Sequence, residues 1–181
     1  MKFVRLLLPV SALLLATGCS ASSGSGSALQ EFGLQDADSR QVIERLDKTN
    51  EDRGTRLNAS VTYDAVVLQE DGKESILPMP EDEFYLSVAP WKGTTHECFN
   101  HNLVGCQGEL SNVPMDVRIT DAGGEVLFED AVRTYDNGFA GFWLPKDITG
   151  TLEITAPQGS ATGAFSTYED SPTCITTLQL V

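Results

Sequence analysis

The chain has 181 residues, with 26 Asp and Glu against 12 Lys and Arg, and a net charge of −14 at pH 7. Such a chain lacks the basic footprint that neutralises phosphates, which excludes nucleic-acid binding as a function class, and its acidity disfavours adsorption to anionic lipid headgroups. Its scarce, chemistry-bearing residues are four cysteines and two histidines.

Residues 1–18 read as an export signal, with cations in MKFVR, an apolar run in LLLPVSALLLA and small residues before Cys19. The run is too short and wrongly flanked for a transmembrane span. A small residue directly before a cysteine resembles a bacterial lipobox, in which that cysteine becomes the lipidated first residue. Ala16 stands where leucine is usual, with Leu15 one position further back. Cys19 is therefore expected to carry a lipid; the alternative is a secreted protein with a stray thiol at Cys19. Residues 19–28 combine this cysteine with a Gly/Ser tether that has nothing large enough to pack. The folded part is expected from Leu29 to Val181, held at the extracytoplasmic face of a membrane or in the periplasm. That length suits one compact domain or two small ones.

The segment DADSRQVIERLDK (residues 36–48) predicts a short helix. Asp38 or Ser39 can cap it, Gln41 completes a capping box with Asp38, and Val42, Ile43 and Leu46 form a narrow apolar face. Next, LNASVTYDAVVLQEDGKESILPMP predicts two strands around an EDGK turn. Beyond Glu83 the chain is strand-rich. Strands are expected in FYLSVAPW, in MDVRIT and EVLFED around DAGG, in GFAGFWLP, in GTLEITA and in a terminal CITTLQLV. The expected class is mainly β (α+β). A helix-plus-hairpin part spans 29–82 and an antiparallel sandwich-like domain spans 83–181.

The loop THECFNHNLVGC, between two expected strands, holds both histidines, His96 and His101, and two cysteines, Cys98 and Cys106. With Cys19 assigned to lipid, Cys98, Cys106 and Cys174 remain, and an odd count leaves one thiol over after any single disulfide. On the residues alone two readings stay open. A Cys98–Cys106 disulfide would close a small loop, worth about 2–3 kcal/mol by chain entropy, but it leaves His96, His101 and Cys174 unused. A metal site uses them all, since thiolates select Cu(I) or zinc and imidazole suits zinc and copper. The seven residues between Cys98 and Cys106 do not match the close ligand pairs of zinc fingers, which leaves copper open. Met79 and Met115 are conceivable thioether donors for Cu(I) but read first as packing. Cys174, at a strand start, likewise reads by itself as a packed cysteine. Tyr135, Phe139, Phe142 and Trp143 read as core.

Enzyme templates are missing: there is no nucleophile elbow, zinc-protease helix, phosphate loop or dinucleotide fingerprint. A Cys98–His101 nucleophile pair lacks any supporting pattern. Two non-metal readings stand beside copper: a binding module whose Cys98–Cys106 disulfide fixes a recognition loop, and a thiol–disulfide redox protein.

Taken together, FYLSVAPW with THECFNHNLVGCQGEL, VRITDAGGEVL, YDNGFAGFWLP and CITTLQL resemble the CueP family of periplasmic copper-binding proteins, in the same order across roughly residues 41–181. The resemblance implies copper sequestration for tolerance, and delivery to a copper-zinc superoxide dismutase. It carries the family's cysteines onto Cys98, Cys106 and Cys174 and its loop histidines onto His96 and His101. It also implies reduction of Cu(II) to Cu(I) by these thiols, restoration by envelope disulfide reductases, a two-part β-rich build and a homodimer. The lipid anchor departs from the soluble members of the family, which puts the dismutase and reductase partners in question.

Overall fold

The protein is described here by a computed structural model covering residues 28–181. The expected signal, Cys19 and the tether up to Ser27 lie outside the described residues.

A single helical turn, α1 (Ala28–Glu31), precedes α2 (Ser39–Leu46). The capping box forms as the sequence predicts: the Asp38 carboxylate accepts from Gln41 N, and the Gln41 side chain accepts from Asp38 N. Ser39, Val42, Ile43 and Leu46 are buried, so α2 presents one face to the interior. That face packs on a three-stranded antiparallel sheet of β1 (Leu57–Val61), β2 (Ala65–Glu70) and β3 (Lys73–Pro78). The EDGK turn joins β2 to β3, with Asp71 and Gly72 at φ 50° and 76°, the left-handed pair that a two-residue hairpin turn demands. Where two strands were expected there are three. Thr62 closes an additional turn, its backbone N–H donating to Ala65 O and its hydroxyl accepting from Ala65 N.

A second sheet runs in the order β10 (Cys174–Ile175), β4 (Glu83–Val88), β7 (Ala140–Pro145), with β4 antiparallel to β7 and parallel to β10. A third runs β6 (Val126–Arg133), β5 (Pro114–Asp121), β8 (Thr149–Ala156), β9 (Gly159–Ser166). The fold is mainly β, as expected.

Strand β4 lies between two cores. Phe84, Leu86 and Val88 point into one, with Phe142, Leu144, Met115, Val117, Ile119, Leu152 and Ile154. Tyr85 points the other way, into a core with α2, β1 and β2. Side chains alternate along a strand, so a strand buried on both faces reads as the near-continuous apolar run FYLSV.

Two strands depart from expectation. β9, a full strand over GSATGAFS, is not among the expected elements. Its small residues make room for the C-terminal segment: a Cβ at Gly163 would lie 2.5 Å from Leu178 Cδ2. The expected terminal strand shrinks to Cys174–Ile175, after which the chain is held by isolated contacts, Trp91 with Gln179 and Ser160 with Val181.

Candidate metal centre

The 95–106 loop is fixed from both sides. His101 O accepts from Val61 N and Leu103 N donates to Ala59 O, so the loop extends the edge of β1. The Thr173 hydroxyl accepts from His101 N and donates to Val61 O, which ties the loop to the residue preceding Cys174. Between His101 and Cys106 the chain folds on Asn102, whose side-chain oxygen accepts from Val104 N and Gly105 N. Arg53 donates to the carbonyls of Gly105 and Cys106 and clamps the loop from the far side.

These anchors bring four expected residues together. Cys98, His101, Cys106 and Cys174 each offer one ligand atom, and all four atoms lie within 4.8 Å of one another. The disulfide, however, is not the expected one. Cys98 is bonded to Cys174, and the Cys106 Sγ stands 3.5 Å from the Cys98 Sγ as a free thiol. The parallel pairing of β10 with β4 explains the difference: it sets the Cα of Cys174 5.7 Å from that of Cys98, within normal bridging range. His96 is exposed on the loop, outside the four-residue cluster, with its ring centroid 6.2 Å from that of Phe139. Met79 and Met115 are buried in the two cores and belong to neither loop nor cluster.

The sulfurs have an apolar wall. Ala89, Phe139 and Cys174 are buried together, with Cys98 and Cys106 packed against them. Phe139, expected as plain core, is thus also the wall of the site, its centroid 4.5 Å from the His101 ring.

His101 is fully buried, and its Nε2 lies 2.7 Å from the Asp47 carboxylate, which is fully buried too. Its other ring nitrogen, Nδ1, has no hydrogen-bond partner among the described residues. Burial alone would lower the His101 pKa, but the charge and hydrogen bond of Asp47, helped by Cys106, raise it to about 9. Burial would likewise raise Asp47; His101, Tyr85 and Asn137 outweigh that and hold it below the usual carboxylate range. For Cys106, burial pushes up, while the adjacent His101 cation and the backbone N–H of Asn102 bring the thiol below its ordinary value. A thiolate held next to a cation is the reactive, metal-binding form of cysteine.

The donor set fits a soft cation. Once the Cys98–Cys174 bond is reduced, three thiols and an imidazole nitrogen converge in a partly enclosed, apolar-walled space, and Nδ1 is a buried polar atom that an occupant would satisfy. The family model described as "Periplasmic copper-binding protein CueP" matches residues 41–179. The chain belongs to the CueP family. It is also similar to a solved structure described as "Crystal Structure of S.CueP", at 40% identity and a TM-score of 0.80, covering 89% of this chain and 100% of that one. No curated protein matches. Membership makes this an extracytoplasmic copper-binding protein, and the CueP loop THECFNHNLVGC supplies three of the four clustered residues.

Asp47, Tyr85 and Asn137 escaped the sequence reading. One signal for Asp47 was present: it stands four residues after Ile43, on the buried face of α2, where a carboxylate is out of place without a partner.

Proposed function

We propose that the protein captures copper in the cell envelope, holds it as Cu(I) on thiolates, and reduces arriving Cu(II) with those same thiols, for tolerance or delivery. The observation that carries the reading is the convergence of Cys98, His101, Cys106 and Cys174 within 4.8 Å. Thiolates prefer Cu(I), while imidazole tolerates the oxidised ion. The exposed His96 serves as a first contact for Cu(II), and His101 as a ligand within the cluster.

Electrons balance simply. Two thiolates each give one electron to one Cu(II), yielding two Cu(I) and one disulfide; protons leave where the thiols began protonated. The Cys98–Cys174 bond is the oxidised product of such a turn. Cys106 adds an exchange step: its thiolate attacks Cys98 Sγ, a Cys98–Cys106 bond forms, and Cys174 departs as a thiolate. An envelope disulfide reductase returns the two electrons. Lipidation at Cys19 holds the protein at the membrane, and a copper-dependent superoxide dismutase is a candidate acceptor. A homodimer is proposed here as well.

The test is anaerobic titration of fully reduced protein with Cu(II) in the presence of a Cu(I)-specific chelator. Wild type is expected to yield Cu(I) in proportion to the disulfide formed. If Cys98→Ser and Cys106→Ser leave both yield and affinity unchanged, the mechanism is wrong. The disulfide also supports a second reading, a thiol-redox protein that stores no metal. Copper content after anaerobic purification from copper-fed cells separates the two.

A further inference from the structure

The Asp47 carboxylate is held by more donors than an ion pair with His101 requires. Oδ1 lies 2.7 Å from His101 Nε2 and accepts from Asn137 Nδ2 at 2.7 Å. Oδ2 accepts from the Tyr85 hydroxyl at 2.5 Å and from Ser87 Oγ at 3.4 Å. Strand β7 is opened to admit that hydroxyl: a Cβ on Gly141 would sit 1.7 Å from Tyr85 Oη. Four donors from three separate segments leave the carboxylate no freedom to turn. It comes from the C-cap of α2, outside the loop that supplies the histidine.

A purely structural buried pair would satisfy both ring nitrogens of the histidine, because leaving a buried N–H or lone pair orphaned is costly. Here one side of the ring is over-determined and the other is unpartnered, in the residue that joins three sulfurs in one cluster. Metal-ligating histidines characteristically give their second ring N–H to a carboxylate, which fixes tautomer and orientation.

We propose that Asp47 is a positioning residue of the metal centre: it retains a proton of His101 on Nε2, so that the proton displaced when the ion binds is the one on Nδ1 and Nδ1 becomes the nitrogen donor to copper. The inference rests on the copper reading above. Through Asp47, helix α2 takes part in a site whose ligands all lie beyond residue 97. Tyr85, Ser87 and Asn137 act one step further back, by holding the carboxylate. The ring can then neither flip nor exchange its two nitrogens when the ion arrives.

Two measurements test this. In wild-type protein, fully reduced and loaded with one equivalent of Cu(I), the ring ¹⁵N signals of His101 should show Nε2 protonated and Nδ1 bound to metal. Cu(I) held by the sulfurs with both His101 nitrogens protonated, or with the proton on Nδ1, overturns the inference and leaves the copper reading standing. Failure to retain Cu(I) at all overturns both. Independently, Asp47→Asn should weaken Cu(I) binding about 10–100-fold in chelator competition. In a His101→Ala background the same change should cost less than about two-fold, because the residue through which Asp47 acts is gone. An undiminished loss in that background would mean Asp47 acts on the fold instead. The ¹⁵N measurement uses no variant and stays decisive should Asp47→Asn fail to fold.

Discussion

At the scale of single residues, the site turns on the Asp47–His101–Cys106 series. His101 keeps its charge up to about pH 9, which sets a cation beside the Cys106 thiol. The Cys106 pKa is lowered, so more thiolate is present near neutrality than in an ordinary cysteine, despite partial burial. In oxidised protein, where Cys98 and Cys174 are bonded, alkylation of Cys106 should therefore reach its plateau rate at lower pH than a free thiol does. His101→Gln removes the cation but not the burial, and should shift that profile upward. Iodoacetamide rates against pH, followed by peptide mass, check both; an unmoved profile would mean His101 does not control the thiol. The sequence made His101 and Cys106 conspicuous because they are rare. Asp47 is one of 26 acidic residues, and only its place on the buried face of α2 sets it apart.

Among elements, the turn before β7 matters as much as the loop it supports. Gly138 has φ +82°, and a Cβ there would lie 2.5 Å from Gly108 O; one on Gly108 would meet Gly138 O at 2.6 Å. Only two glycines let the 95–110 segment lie this close to the turn, where Gly108 N donates to Asn137 O. Gly138→Ala should cost at least about 1–2 kcal/mol from backbone strain alone, visible as a lower denaturation midpoint with an unchanged slope. A stability indistinguishable from wild type would count against this packing. Elements set by local chemistry were legible in the sequence: the Asp38–Gln41 capping box and the Asp71–Gly72 turn each need only neighbouring residues. β9 and the pairing of β10 were not, because both depend on residues far away. Gly163 is small on account of Leu178, and Cys174 meets Cys98 only because β10 aligns with Ser87 and Val88 of β4. The Cys98–Cys106 bond, one of the two readings left open, followed sequence proximity, which the fold overrides.

For the whole molecule, the Cys98–Cys174 bond spans 76 residues and links the loop to the end of the chain. Constraining an unfolded loop of that length is worth about 4 kcal/mol in the chain-entropy account. Metal-free protein should thus be markedly less stable reduced than oxidised, and Cu(I) should restore much of the difference to the reduced form, since ligand binding to the folded state adds stability. Thermal unfolding of the three forms reads this directly; equal midpoints for the oxidised and reduced apo forms would refute it.

The two bonds open to Cys98 also differ in when they can form. Cys106 is eight residues away along the chain and Cys174 is 76. In an unfolded, reduced chain the nearer partner is met sooner, because closing a longer loop costs more entropy. Oxidative refolding should therefore pass first through a Cys98–Cys106 species and reach Cys98–Cys174 only after β10 has docked beside β4. Acid-quenched time points mapped by mass would reveal that order, and an initial Cys98–Cys174 product would show that docking precedes oxidation. On this account the resting disulfide is a late bond, and its presence marks a molecule whose central sheet has already closed.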